Sequence, residues 1–480
     1  MDVPGLCMGY SHYDRLSAVD SMFLDFEESR VHMHVGAVAL FESGPLTNDA
    51  GELDFERIRA TIDAALIESP RFRQRLRRIP LFDHPVWVDD DSFNLRYHLR
   101  HTSLPRPGGQ RQLKRQMGRI MSQKLDRSRP LWEMWVIEGV EESRFAVIFK
   151  VHHCMVDGVS GLDLLARSMR PDRESSVERP QGWIPRPPPS DARLFRDELV
   201  HRSSWPLSLA GVANRALRGG PRELVSQASE SLLAVGEFLS AGLSPTAATP
   251  LNPEIGPHRR FDWVQIDMEA VKEVRERLGG TLNDVVLATA AGAIGRFLRL
   301  RGISPRDMVF RAQVPVSIRS EAERGREGNR VIMLLAELPI DEEDPSQRLE
   351  RVVRTTERLK ASRQRAGVEL FEELSDRALS SLFLRVAQLA VQQRSFNVVI
   401  TNIPGPQVPV YLLGARMLEI YPLVPLAINQ ALGIALFSYV GKLFWGFNAD
   451  WDALPDLHEL VTGVAEEFEG LHKLVSGRAS

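Results

Sequence analysis

Phe145-Ala146-Val147-Ile148-Phe149-Lys150-Val151-His152-His153-Cys154-Met155-Val156-Asp157-Gly158 runs from an apolar block into paired histidines and then a turn. The block is short, rich in β-branched and aromatic residues, and reads as a buried strand. Successive strand residues point to opposite faces, so only one of His152 and His153 faces a given site. Gly158 and Gly161 let the chain turn tightly into a helix expected over Ser160 to Met169. A histidine at a strand end, held by a loop, suits a general base with a fixed tautomer. The residues alone leave three other readings open. The first is a core histidine pair with a structural aspartate. A metal site is the second, although neighbouring strand residues diverge and no further ligand stands at a typical spacing. The third is a nucleophilic Cys154, which would need a base and a lowered thiol pKa.

Outward from this stretch the chain alternates strand and helix patterns. Strands are expected over His32 to Phe41, Pro85 to Val88, Leu131 to Glu138 and Phe145 to His153, the last two joined by a polar turn at Glu141-Glu142-Ser143. Helices are expected over Leu53 to Glu68 and Arg111 to Lys124. Pro171 to Pro189 holds six prolines and reads as an extended linker. A helical region follows to about Gly242, and Ser244 to Arg260 is a second Pro-rich passage. Beyond it come helices from Glu269, Asn283 and Pro345, with strands over Val309 to Pro315, Val331 to Leu338, Asn397 to Thr401 and Ala431 to Val440.

The 480 residues suggest two domains. Hydrophobic residues make up 43% and charged residues 26%, a globular balance, and a formal net charge of -3 gives no basic field for nucleic acid. The cysteines are Cys7 and Cys154, which provide no disulfide framework and point to a reducing cytoplasm. The start, Met1-Asp2-Val3-Pro4-Gly5, lacks the pattern of a secretory signal. Ile420 to Gly441 is uncharged and long enough to span a bilayer, but Pro422, Pro425, Asn429 and Gln430 argue for two buried strands with an irregular connection. Arg71, Arg73, Arg75, Arg77 and Arg78 form the densest basic cluster; a solvated face is the first reading, CoA phosphates or anionic headgroups the second. The stretch Leu224 to Leu239 suits either membrane contact or packing between domains.

His152-His153-x-x-x-Asp157-Gly158 resembles the active-site motif of the chloramphenicol-acetyltransferase-like superfamily, a pattern that condensation domains of peptide synthetases share. Other segments narrow the resemblance: Leu16-Ser17-x-x-Asp20-x-x-Phe23-Leu24, Met33-His34-Val35-Gly36, Pro130-Leu131-Trp132-Glu133, Asn283-Asp284-Val285-Val286, Val314-Pro315-Val316-Ser317-Ile318-Arg319, Gly328-Asn329-Arg330 and Thr401-Asn402-Ile403-Pro404-Gly405-Pro406. From Leu16 to the last helix the chain resembles the bacterial wax ester synthase/diacylglycerol acyltransferase family, with Thr401 where serine is more usual.

The resemblance implies a mixed α/β fold of two chloramphenicol-acetyltransferase-like domains joined by a crossover linker, with a substrate tunnel between them. Residues 1–170 would form the N-terminal domain carrying the motif, 171–250 the connector and 251–480 the C-terminal domain. Acyl-CoA, a co-substrate rather than a cofactor, would enter from one side and a diacylglycerol or long-chain alcohol from the other, with no metal and no nucleic acid involved. His153 would act as general base in direct transfer without an acyl-enzyme, beside His152 and Gly158 of the same motif. Asp157 would hold the loop through an arginine, with Arg319 as candidate. Asn283 would polarise the thioester oxygen and Asp284 help shape the site, although an N-cap role explains Asn283 equally well. Thr401 and Asn402 would lie near the tunnel, or form only a rigid turn. Pro130-Leu131-Trp132 reads as packing. The resemblance further implies a cytoplasmic protein held peripherally at a membrane or lipid-droplet surface. A carrier-dependent condensation enzyme and a silent lipid-binding protein are the rival functions.

Overall fold

The strand expected before the paired histidines runs from Arg144 to His152 in a computed structural model of the chain, and all of its residues are buried. The structure describes residues 13–49, 51–155, 163–173, 182–203, 244–317, 331–361 and 394–476. In chain order its elements are β1 (Tyr13–Arg15), α1 (Ala18–Phe26), β2 (His34–Glu42), α2 (Phe55–Ala65), β3 (Gln74–Arg78), β4 (Pro85–Asp89), α3 (Leu95–His98), β5 (Leu99–Ser103), α4 (Gln110–Met121), β6 (Trp132–Val140), β7 (Arg144–His152), α5 (Asp163–Ser168) and α6 (Asp191–Ser203). The second half contributes β8 (Arg259–Asp267), α7 (Met268–Leu278), α8 (Leu282–Leu300), β9 (Arg311–Ser317), β10 (Val331–Glu337), α9 (Pro345–Ala361), β11 (Val398–Pro404), β12 (Tyr411–Leu412), β13 (Ala415–Leu423), β14 (Leu432–Tyr439), β15 (Lys442–Asp450) and α10 (Leu457–Ser476).

Among the described residues β7 lies inside a six-stranded sheet of order β12-β13-β2-β7-β6-β5. The β6–β7 hairpin reverses through Glu142 and Ser143, both at positive φ. Gly36 of β2 is required by a close approach: a Cβ there would stand 2.1 Å from the Phe149 carbonyl oxygen. Lys150, the cation within the apolar Phe145 to Val151 run, is fully buried. Its ammonium donates to the carbonyls of Ile120 and Gln123 at the end of α4, where the helix dipole favours a positive charge.

The second sheet has the order β10-β9-β11-β14-β15-β8, with α8 buried along most of its length. The halves exchange material in both directions. β13 comes from the second half yet pairs with β2, from Leu423 opposite Gly36 to Met417 opposite Phe41. Val31 and Met33 belong to the first half yet join the apolar core of the second. Tyr421 of β13 stacks on Trp263 of β8 at 4.7 Å, and a Cβ on Gly446 of β15 would meet the Pro422 carbonyl at 1.9 Å. Division of the chain near residue 250 is therefore not a division in space.

The uncharged Ile420 to Gly441 stretch is two buried strands, β13 and β14, with an irregular connection. Two expectations are corrected. The Pro-rich passage to Arg260 ends in a strand, because Arg259 already pairs with Asp450 in the β8–β15 ladder. The helix expected from Asn283 starts at Leu282, and its N-cap is Thr281. Gly279 and Gly280, at φ 89° and 83°, end α7 and hand Thr281 over in extended conformation. The Leu224 to Leu239 stretch lies outside the described residues. Among the described residues no helix is long and apolar enough to cross a membrane.

Candidate active site

His153 is the first residue after β7 and opens a single 3-10 turn, His153–Met155. Its backbone N–H donates to the Met33 carbonyl at 2.7 Å, so the turn is tied to the lead-in of β2. The half-buried imidazole stacks on the Phe23 ring of α1, with centroids 3.8 Å apart and planes 26° from parallel. Phe23 packs against both apolar cores, which places His153 on the seam between the two halves. Burial pushes the imidazole down to about 4, opposed by the backbone of its own residue. His153 is thus neutral at pH 7, the form able to accept a proton. Its Nδ1 has no hydrogen-bond partner among the described residues.

His152 diverges from its neighbour, as strand alternation requires. It is fully buried and held down to about 3 by burial, with Arg127 the next cause. Its Nδ1 accepts the Cys154 backbone N–H at 3.2 Å, which leaves Nε2 as the protonated nitrogen of the neutral ring. Cys154 is buried, and burial followed by the Asp20 carboxylate drives its thiol well above the usual range. That environment is the reverse of what a nucleophilic thiolate needs. Among the described residues no cluster of histidine, cysteine and carboxylate is arranged to hold a metal ion.

Asp284 is buried and engaged in full. One carboxylate oxygen accepts from the Thr281 N–H and hydroxyl, each at 2.7 Å, and the other accepts from the Thr356 hydroxyl of α9 at 2.7 Å. Asn283, the second residue of α8, is half-buried and is not the cap. Thr401 and Asn402 are half-buried strand residues of β11, in parallel register with Ala435 and Leu436 of β14. The close passage comes later, at Gly405, where a Cβ would lie 2.2 Å from the Phe437 ring. Trp132 is packing: it is fully buried, stacked on His98, with its indole N–H donating to the Phe72 carbonyl at 2.7 Å.

The five arginines from Arg71 to Arg78 each face a carboxylate: Asp14 at 3.4 Å, Asp63 at 2.9 Å, Asp90 at 3.6 Å, Asp191 at 2.7 Å and Asp83 at 2.7 Å. This is an ion-paired surface of little net field. Asp157, Gly158, Arg319, Gly328-Asn329-Arg330 and Cys7 lie outside the described residues. The sequence reading missed Glu27 and gave Phe23 no role. Phe23 lies in α1 and Glu27 is its C-cap, four residues on, so the signal is an i, i+4 spacing that extends past the Leu16 to Leu24 pattern.

Residues 16–286 match the wax ester synthase/diacylglycerol acyltransferase catalytic domain, and residues 327–472 match the C-terminal domain of the same group. The chain belongs to the wax ester synthase/diacylglycerol acyltransferase family. A putative diacylglycerol O-acyltransferase of Mycobacterium tuberculosis is 34% identical, over 96% of this chain and 91% of that one. The O-acyltransferase WSD of Acinetobacter baylyi is 32% identical, over 95% and 97%. The wax ester synthase/diacylglycerol acyltransferase of Marinobacter aquaeolei VT8 superposes with a TM-score of 0.68 at 27% identity, covering 96% of this chain and all of that one. The first condensation domain of the CDA synthetase shares the fold, with a TM-score of 0.58 at 14% identity. The family is thus a mixed α/β, two-domain acyltransferase group, and the paired histidines His152 and His153 lie inside the stretch that matches its catalytic domain.

Proposed function

We propose that this chain is an acyl-CoA-dependent O-acyltransferase that converts diacylglycerol to triacylglycerol and also acylates long-chain alcohols, with His153 as general base. The observation that carries the reading is the neutral His153 imidazole, stacked on Phe23 at the seam of the two cores. The names of the relatives support the substrate class. In the proposed reaction the acceptor oxygen attacks the thioester carbonyl carbon while its proton passes to His153. The tetrahedral intermediate then collapses, the C–S bond breaks, and His153 returns the proton to the departing thiolate. The products are the ester and free CoA, with no acyl-enzyme. The inert environment of Cys154 supports direct transfer. Asn283, outside the cap and at the positive end of α8, is proposed to polarise the thioester oxygen. Asp157 is proposed to hold the loop through an arginine, and Thr401 and Asn402 to line the acceptor side.

Apolar walls discriminate acceptors weakly, at about 1–3 kcal/mol per methylene. Both acceptor classes are therefore expected to react, with diacylglycerol the main one. An acceptor this apolar is reached at a lipid surface, and we propose peripheral association there. The test supplies purified protein and radiolabelled acyl-CoA with diacylglycerol and a long-chain alcohol in parallel mixed micelles. Labelled triacylglycerol with a smaller wax ester product is expected. Consumption of the alcohol alone moves the assignment to wax ester synthase, and acylation of an amine instead overturns it.

A further inference from the structure

Glu27 stands at the C-terminal end of α1, where the helix dipole disfavours a carboxylate, and its side chain is only 1% exposed. A buried charge in such a place needs partners. One oxygen, Oε2, has them: it accepts from Arg127 Nε at 2.8 Å and lies 3.7 Å from Lys124 Nζ. The other, Oε1, makes no hydrogen bond among the described residues. It faces His34 Nε2 at 3.6 Å and His152 Nε2 at 3.8 Å, two nitrogens that are themselves buried and without a hydrogen-bond partner among the described residues.

The two histidines are cross-strand partners, His34 of β2 opposite His152 of β7, so their side chains share a face of the sheet. The Cys154 N–H occupies His152 Nδ1, which puts the His152 proton on the nitrogen aimed at Glu27. That same N–H belongs to the residue directly after His153. The His153–Met155 turn is therefore anchored twice, by the His153 N–H on the Met33 carbonyl and by the Cys154 N–H on the His152 ring, and the orientation of that ring bears on the second anchor. Four residues before Glu27, on the same face of α1, Phe23 lies against the His153 ring. One short helix thus addresses both histidines, Phe23 touching the second and Glu27 the first.

We propose that Glu27 is a positioning residue for acyl transfer: through the His152 Nε2–H it sets the ring whose Nδ1 anchors the Cys154 amide, and so holds His153 in its reactive orientation. This rests on His153 being the base. Glu27 touches no reacting atom, so its loss acts on geometry at the chemical step. A misplacement of about 1 Å can cost on the order of 10²-fold in rate.

The test measures kcat and KM for acyl-CoA in Glu27→Gln, His152→Asn and the double variant, with His153→Ala alongside and thermal melting of each. Glu27→Gln is expected to lower kcat roughly 10- to 100-fold while KM stays within about two-fold, and the double variant to be no slower than the slower single one. Multiplicative losses in the double variant, or an unchanged kcat in Glu27→Gln, would overturn the proposal. If Glu27→Gln does not fold, Glu27→Asp keeps the charge beside Arg127 but draws the carboxylate away from His152. It should show the same fall in kcat, and full turnover overturns the proposal equally. The His153→Ala arm separates the two readings. Retained turnover there removes the base assignment itself, whereas an inactive His153→Ala beside a fully active Glu27→Gln removes only the role of Glu27.

Discussion

The Phe23 ring covers one face of the His153 imidazole at 3.8 Å between centroids. It joins the burial that holds the imidazole down to about 4. Phe23→Ala uncovers the ring, so its pKa should move up toward the ordinary histidine value of about 6.5. The acid limb of the kcat/KM profile should rise by one or more pH units, with a lower plateau. A pH–rate profile of the variant beside the parent protein checks this, and coincident acid limbs would show that Phe23 does not set the basicity of His153.

His153→Ala should retain the fold and lose roughly 10²–10⁴-fold in turnover, the usual contribution of a general base. The half-buried ring makes no side-chain hydrogen bond to another described residue, and the turn is held by its backbone N–H, which alanine keeps. Steady-state rates and thermal melting of the same preparation decide the matter.

Asp284→Ala and Asn283→Ala should separate stability from chemistry. Asp284 serves Thr281 and Thr356 with both oxygens, so its loss removes a capping box and a buried hydrogen bond from the Thr356 hydroxyl, which keeps only the Val353 carbonyl at 3.1 Å. A lost cap costs about 1 kcal/mol, and a lost hydrogen bond to a charged group about 1.5–3 kcal/mol. Asn283 lies outside the cap, so Asn283→Ala should leave Tm nearly unchanged and lower kcat. A fall in Tm without a fall in kcat for Asn283→Ala would return that residue to a structural role.

Stability should fall as the pH drops below about 6.5. Burial holds His152 to about 3, His32 to about 4 and His34 well below its ordinary value. Between those values and about 6.5 the unfolded chain binds protons that the folded chain does not, so stability increases with pH across that window and is complete above it. At pH 5 each such histidine costs up to roughly 2 kcal/mol. Thermal melting at pH 7.5 and pH 5 should show the drop, and His32→Gln should reduce it.

Much of the architecture was legible where one strong local pattern decides the outcome. The apolar block before His152 became β7, and the prolines and amides between Ile420 and Gly441 marked the break between β13 and β14. What escaped was set by tertiary context. β8 hides behind prolines and the charged pair Arg259-Arg260, and forms because β15 offers it a full ladder. The cap of α8 was misplaced because the two glycines ahead of Thr281, not Asn283, decide where the chain enters the helix. Around the candidate site, His152 and His153 were readable as a motif. Phe23 and Glu27 acquire meaning only once α1 is seen to lie across the end of β7.

The pairing of β13 with β2 also sets an order of events during synthesis. Leu423 must leave the ribosome before Gly36 gains its partner on that side. Until then the sheet carrying His152 presents β2 as an open edge, free to pair with any other chain. An isolated fragment that stops in the Pro-rich connector keeps that edge permanently. It should accumulate as aggregate when expressed alone, and supplying the second half as a separate polypeptide should restore soluble protein by closing the edge in trans.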